Sequence, residues 1–258
     1  MDNLTAQVVE KLSREFKQKS PYSYVDMSGI LEENVLKTCA AEIDSYIGSI
    51  PAEKNIYASY RKHKLSDLEK MPPKCQEVVS YFNSTEFIAR LEQITGIEGL
   101  LPDQDLQGGG IHAIGRGGFL KIHTDFNWHS KLQLHRRLNL LVYLNENWQN
   151  GWGGAIEMWS PDMRNKLTAV APQLGNVLLF ATSDLSYHGH PDPLQCPDNV
   201  WRKSFAMYYY SATRPDEEVA FGKSEMTNYV ERPGEKFTTD RLRRLRHRVQ
   251  LALKRLTK

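Results

Sequence analysis

The first hundred residues carry apolar side chains at the spacing of helices. Apolar positions recur every three or four residues over 5–17 and 31–47, which predicts two amphipathic helices. Residues 22–27, between them, alternate instead and predict a short strand. The stretch 64–96 predicts two or three further helices, with Asn83-Ser84 as the candidate N-cap of the last one.

From residue 109 the pattern changes to short apolar or alternating runs separated by glycines, which is typical of a β-sandwich or barrel. The predicted strands are 110–114, 119–123, 137–144, 154–159, 166–170, 176–181, 186–189 and 202–210. Eight short strands behind a helical flank predict an α+β fold with a mainly β core, a jelly roll covered on one side by the N-terminal helices.

The chain is expected to form a single domain, because helices 1–100 have no evident core without the sheet. Its predicted parts are a helical flank (1–100), a jelly-roll catalytic core (105–212) and a basic amphipathic C-terminal helix (236–258).

Candidate chemistry lies in the tripeptide His123-Thr124-Asp125. The first and third residues of an extended tripeptide point to the same face, so an imidazole and a carboxylate can bind one metal ion there. A third ligand must come from elsewhere. His188 and His190 alternate in the segment SYHGHP and share a face, so spacing alone does not choose between them. Two histidines and one carboxylate are the ligand set of non-haem Fe(II) oxygenases.

A second motif is Arg202-Lys203-Ser204, which opens an apolar run. Arg202 and Ser204 share a face, and a guanidinium matches a carboxylate through two parallel hydrogen bonds. A buried Arg202 needs an anionic partner, and one end of a dicarboxylate is suitable. Lys203 has the opposite parity and is expected to face away.

Together these motifs resemble the 2-oxoglutarate/Fe(II)-dependent dioxygenase superfamily, in its prolyl 4-hydroxylase-like branch. The resemblance covers about 111–211, a little under half of the chain. It is carried by GGFLKIHTDFN (117–127), RRLNLLVYLNENW (136–148), GGAIEMW (153–159), LGNVLLF (174–180), SYHGHP (186–191) and RKSFAMYYYS (202–211).

The resemblance implies a double-stranded β-helix, cupin-like, with the metal at its open end. It implies that His123, Asp125 and His188 are the catalytic Fe(II) ligands, because the family's third ligand ends a short strand before a proline turn. It also implies that Arg202 and Ser204 bind the distal carboxylate of 2-oxoglutarate. Tyr143, in the segment YLN, matches a family tyrosine that helps to hold 2-oxoglutarate, although a core tyrosine is the alternative interpretation.

One position departs from the family pattern. Many collagen-type relatives have a tyrosine nine residues before the first ligand, where this chain has Ile114. Isoleucine donates no hydrogen bond, so the binding of 2-oxoglutarate or substrate is expected to differ in detail.

The implied activity is that of an oxidoreductase, a hydroxylase. It uses O2 to decarboxylate 2-oxoglutarate to succinate and CO2, and it couples this step to hydroxylation of an unactivated C–H bond. Ascorbate is a candidate reductant. The branch favours a prolyl residue or an amino acid, small-molecule or peptidyl, as the substrate. A small polar metabolite or a carrier- or sugar-linked intermediate is an equal alternative. An oxidative outcome other than hydroxylation also stays open. Competing hypotheses are a jelly-roll Zn(II) or Mn(II) hydrolase or isomerase, and a non-enzymatic β-barrel binding module.

Composition adds limits on partners and compartment. Three widely spaced cysteines (Cys39, Cys75, Cys196) predict free thiols, and no signal peptide or apolar membrane span is recognised, so a cytoplasmic protein is expected. Residues 236–258 carry nine Lys/Arg against one Asp, a net charge of +8, which leaves −6 for the remainder of a chain of net charge +2. Because the acidic body opposes polyanions, no nucleic acid is expected, and the basic helix is predicted to dock on the body or to mediate a homo-oligomer.

Overall fold

The structure is a computed structural model that describes residues 3–52, 59–215, 218 and 222–234. The predicted basic helix 236–258 lies outside the described residues. The helices are α1 (Ala6–Gln18), α2 (Glu33–Tyr46), α3 (Pro73–Phe82) and α4 (Thr85–Thr95). The strands are β1 (Tyr24–Asp26), β2 (Ser59–Leu65), β3 (Leu101–Pro102), β4 (Gly110–Thr124), β5 (Trp128–His129), β6 (Leu134–Tyr143), β7 (Ile156–Trp159), β8 (Lys166–Val170), β9 (Val177–Ala181), β10 (His188–His190), β11 (Arg202–Ser211) and β12 (Asn228–Tyr229).

Two of the helices, α1 and α4, begin at residues whose side chains cap them. The Thr5 hydroxyl accepts a hydrogen bond from the Val8 amide at the start of α1, and Ser84 accepts one from Phe87 at the start of α4. The helix α4 ends at Gly96, whose φ of +74° is a left-handed conformation that glycine adopts without strain. The predicted N-cap at Ser84 is therefore confirmed.

The strands form one antiparallel sheet in the order β1-β9-β6-β11-β4-β10-β7-β8. The long strand β4 pairs with β11 along its first part, at Arg202 opposite Ile114, and with β10 near its end, at His188 opposite His123. This strand therefore joins the two candidate motifs through backbone hydrogen bonds.

The two faces of the sheet have separate roles. Alternate side chains of β6, β9 and β11, such as Leu140, Leu179 and Met207, join the large core that the N-terminal helices complete. Their neighbours Tyr143 and Phe180 face the interior instead, where a second apolar cluster includes Met158. Successive side chains of a strand point to opposite faces of the sheet. Once one face packs against the helices, the residues that point into the interior are therefore determined.

Two features differ from the pattern expected for strands and helices. The predicted strands 110–114 and 119–123 are one continuous strand, β4, since Gly117 (φ +75°) and Gly118 let the chain pass an irregularity opposite Tyr60 without a break. The charged segment Ser59–Leu65 is strand β2, which pairs with β4 through its backbone. Helical structure in 64–96 therefore begins with a 3-10 turn at Leu68–Lys70, and the α-helices begin at Pro73.

The three cysteines are free and buried, as predicted. Among the described helices, none has the length and apolarity that crossing a bilayer requires.

Gly189 allows strand β10 to lie close to strand β4. A Cβ at this position would lie 2.7 Å from the Lys121 carbonyl oxygen and 2.8 Å from that of Leu120. We expect Gly189→Ala to push β10 away from β4 and to lower the free energy of unfolding by about 1–3 kcal/mol, measured by urea denaturation. Gly48→Ala is the control, because nothing lies within 4 Å of its Cβ. Equal stability of the two variants would contradict the close approach of β10 to β4.

Candidate metal and dicarboxylate site

The structure brings His123, Asp125 and His188 together. One ligand atom from each residue lies within 4.8 Å of the other two. The His188 Nε2 atom is 3.3 Å from Asp125 Oδ2, and the His123 Nε2 atom is 3.7 Å from Asp125 Oδ1. Both imidazoles are buried, at 5% and 4% exposure. The pairing of β4 with β10 is what creates this cluster, since it aligns His123 with His188.

Each histidine is oriented by a backbone carbonyl. The Nδ1 atom of His123 lies 2.7 Å from the Lys121 oxygen, and that of His188 lies 2.9 Å from the Ser186 oxygen. A carbonyl only accepts hydrogen bonds, so each Nδ1 carries the proton and each Nε2 presents its lone pair to the cluster. This is the arrangement that metal-binding histidines require.

The carboxylate of Asp125 is held by two residues of strand β6. Asn139 donates a hydrogen bond from Nδ2 to Asp125 Oδ2 at 2.7 Å, and the Arg136 Nη2 atom lies 3.2 Å from the same oxygen. The Arg136 guanidinium is itself buried between the rings of Phe126 and Tyr208, with its Cζ 4.6 and 3.4 Å from their centroids. Asp125 therefore sits in a preformed, rigid setting.

The surroundings of His123 and Asp125 favour the protonation states in which these two residues bind a metal. Burial and then the neighbouring His188 lower the pKa of His123 to about 3. Burial acts to raise the pKa of Asp125, but the Arg136 guanidinium and then the neighbouring histidines outweigh it and hold that pKa well below its ordinary value. With His188, these residues form a nitrogen and oxygen donor set that fits Fe(II).

Beside this cluster, Arg202 forms a buried cationic site. Its Nε atom donates to the Gly154 carbonyl at 2.7 Å, and its Nη2 atom lies 3.2 Å from the Tyr143 hydroxyl. Burial lowers the pKa of Arg202 and raises that of Tyr143. No carboxylate within the described residues contacts Arg202. A guanidinium has five N–H groups, so donors remain for an anionic ligand.

The other residues of the Arg202 motif lie where their parity predicts. Ser204 is buried and lies opposite Tyr143 in the pairing of β11 with β6, on the interior side with Arg202. Lys203 faces the helices, where its Nζ atom lies 2.5 Å from Asp44 Oδ2. Ile114 lies opposite Arg202 on β4, among the side chains of Trp148, Leu194 and Cys196, and it adds no polar group.

His190 does not join the metal cluster. A register shift separates it from His188 on β10, and its side chain is 2% exposed. Burial, and then the charge of Arg202, hold the pKa of His190 well below its ordinary value. Of the two histidines that spacing left undecided, only His188 lies with His123 and Asp125 in the part of the chain that the structure describes.

Sequence reasoning missed Arg136 and Asn139, which both contact Asp125. Their signal was weak: an arginine and an asparagine in strand β6, which also contains His135 and Arg137. Buried polar residues in such a run require partners, but the sequence does not say which partner each one has.

Comparison with known proteins agrees with this geometry. Residues 109–210 match the family model of the 2OG-Fe(II) oxygenase superfamily. This segment contains both strands that carry the metal cluster, as well as Tyr143, Arg202 and Ser204. No curated protein matches the chain by sequence.

Solved structures share the fold at low sequence identity. A Pseudomonas putida prolyl-4-hydroxylase superposes with a TM-score of 0.57 and 16% identity, covering 78% of this chain and 98% of that one. A Trichoplax adhaerens prolyl hydroxylase, in complex with a hypoxia inducible factor peptide fragment, gives a TM-score of 0.58 at 15% identity over 86% and 99% of the two chains. HygX from Streptomyces hygroscopicus, with nickel and 2-oxoglutarate bound, gives 0.52 at 13% identity over 89% and 97%.

The family-model match confirms the predicted family resemblance and class of enzyme, and the solved structures confirm the mainly β jelly-roll core. The family match also confirms the predicted pair of iron and 2-oxoglutarate, with which the His-Asp-His cluster agrees. The role of each residue, the cytoplasmic location and the homo-oligomer stay predictions.

Metal binding by single variants tests the ligand assignment. We expect His188→Ala to abolish stoichiometric Fe(II) binding, measured by anaerobic calorimetry, because it removes one of three donors. His190→Ala is the matched control from the same strand, and it should bind Fe(II) with wild-type stoichiometry. Loss of iron from His190→Ala with retention by His188→Ala would reverse the assignment.

Proposed function

We propose that this protein hydroxylates an unactivated C–H bond with O2 and 2-oxoglutarate, because residues 109–210 match the family model of the 2OG-Fe(II) oxygenase superfamily. His123, Asp125 and His188 would hold Fe(II). Arg202, Tyr143 and Ser204 would hold the distal carboxylate of 2-oxoglutarate.

The observation that carries the proposal is the buried guanidinium of Arg202. A buried cation that lacks an anionic partner is costly, and the described residues supply this one with only a carbonyl and a hydroxyl. A ligand carboxylate would complete the set. A metal hydrolase or isomerase would use the same ligand cluster, but unlike the oxygenase reaction its chemistry does not require a dicarboxylate cosubstrate at Arg202.

The residues of the chain would act by binding and orientation. Bound Fe(II) would supply the coupling of O2 and 2-oxoglutarate decarboxylation, yielding succinate and CO2, to oxidation of the substrate. Arg136 and Asn139 fix the carboxylate of Asp125, and the carbonyls of Lys121 and Ser186 fix the two imidazoles. The low exposure of His123 and His188 keeps bulk water from the ligand atoms. No side chain is required to act as a general acid or base.

The substrate is inferred to be a prolyl or other amino-acid residue, free or within a peptide, or else a small polar metabolite. Two of the fold neighbours are prolyl hydroxylases, which favours a prolyl or amino-acid substrate. In this chain, strand β12 pairs with β4 beside the metal cluster and places the Tyr229 ring 5.4 Å from that of His123. Tyr229 is thus a wall of the space next to the metal ligands.

Uncoupled turnover tests the reaction class. With Fe(II), O2 and ascorbate, the purified protein should release succinate from 2-oxoglutarate. Arg202→Met should raise the KM for 2-oxoglutarate by at least about 30-fold, because it removes the charged partner of the distal carboxylate. Lys203→Met is the control, since this neighbouring cation faces Asp44 on the other side of the sheet. It should leave the KM within about twofold.

Other outcomes would favour a competing function. Hydrolysis or isomerisation supported by Zn(II) or Mn(II), with no succinate release, would replace the oxygenase with the metal hydrolase or isomerase. If neither the metal nor 2-oxoglutarate raised the melting temperature, a non-enzymatic binding module would be favoured. Stimulation of succinate release by amino acids, proline-containing peptides or polar metabolites, screened separately, would then identify the substrate class.

A further inference from the structure

His190 is a buried polar side chain whose ring nitrogens lack a hydrogen-bond partner in the part of the chain that the structure describes. Both nitrogens are also inaccessible to solvent. Its side chain is 2% exposed. A buried polar group left unpaired costs free energy, so a native structure seldom retains one without a reason.

Cationic side chains surround the buried His190 imidazole. After burial, the groups that lower the pKa of His190 are Arg202, Lys62 and His123. Both charged groups are cations, and no carboxylate of the described chain acts on either Arg202 or His190. His190 therefore lies near the cationic end of the site and also within range of the metal cluster.

The residue opposite Arg202 on strand β4 provides no hydrogen-bond donor for a ligand. Ile114, opposite Arg202, is apolar, so β4 adds no polar side chain at that point. A neutral imidazole always carries one N–H donor. Carboxylate oxygens are strong acceptors, and donors converging on one carboxylate strengthen its binding.

We propose that His190 is a binding residue for 2-oxoglutarate, donating a hydrogen bond to the distal carboxylate beside Arg202 and Tyr143. This inference rests on the proposed function, since it requires that the dicarboxylate bind at Arg202. It explains why a histidine is buried where a hydrocarbon side chain would fill the space without an unpaired nitrogen.

Affinity for 2-oxoglutarate tests the proposal without turnover. The Fe(II) protein is titrated with 2-oxoglutarate in the absence of O2, and the heat is measured. We expect His190→Phe to bind Fe(II) as the wild type does, yet to bind 2-oxoglutarate about tenfold more weakly, because one buried hydrogen bond to a charged group is lost. His190→Gln, which keeps an N–H donor, should recover most of that affinity.

A ligand without the distal carboxylate locates the contact. The affinity of 2-oxopentanoate should change by less than about twofold in His190→Phe, since the acceptor is missing. His135→Phe is the matched control, because this histidine packs on Trp128, outside the site.

Three results would overturn the proposal: an unchanged 2-oxoglutarate affinity in His190→Phe, an equal loss for both ligands, or no recovery in a folded His190→Gln. Loss of Fe(II) binding in His190→Phe would indicate that His190 is a metal ligand. That result would also reject the proposal. Failure of the wild-type Fe(II) protein to bind 2-oxoglutarate would reject the proposed function itself, which separates the two claims.

Discussion

The ionised carboxylate of Asp125 is the group on which the rest of the site depends. Removing a carboxylate from water is unfavourable unless charges and hydrogen bonds replace the solvent. Here Arg136 and Asn139 bind one oxygen, and two imidazoles face the same group. Arg136 can be buried because the rings of Phe126 and Tyr208 cover it. The chain thus contains a negative centre that is ready for a cation before any metal binds.

The sheet converts this local arrangement into a complete site. Strand β4 carries His123 near its end, where β10 pairs with it, and it pairs with β11 near its start, where Arg202 lies. Side-chain alternation then separates two neighbouring cations, since Arg202 faces the interior while Lys203 binds Asp44 of helix α2. The apolar residues that pack against the helices and the polar residues of the site come from the same strands, so packing of the helices also sets the orientation of the site.

This division explains which features could be predicted from the sequence. The parity of Arg202, Lys203 and Ser204, the N-cap at Ser84 and most strands depend on spacing along the chain, which the sequence displays directly. Strand β2 was missed because its charged residues have no apolar alternation, and its pairing with β4 relies on backbone groups. The difference between His188 and His190 depends on a register shift in β10, and the contacts of Arg136 depend on pairing across strands. Such long-range pairing is not visible in a single local pattern.

A crystal structure of the anaerobic protein with Fe(II) and 2-oxoglutarate is the decisive measurement. We expect iron bound by the Nε2 atoms of His123 and His188 and by one oxygen of Asp125, with the contacts of Asp125 to Arg136 and Asn139 retained. We also expect the distal carboxylate of 2-oxoglutarate on the guanidinium of Arg202. Iron bound through a different ligand set, or a 2-oxoglutarate carboxylate bound away from Arg202, would contradict the proposed site.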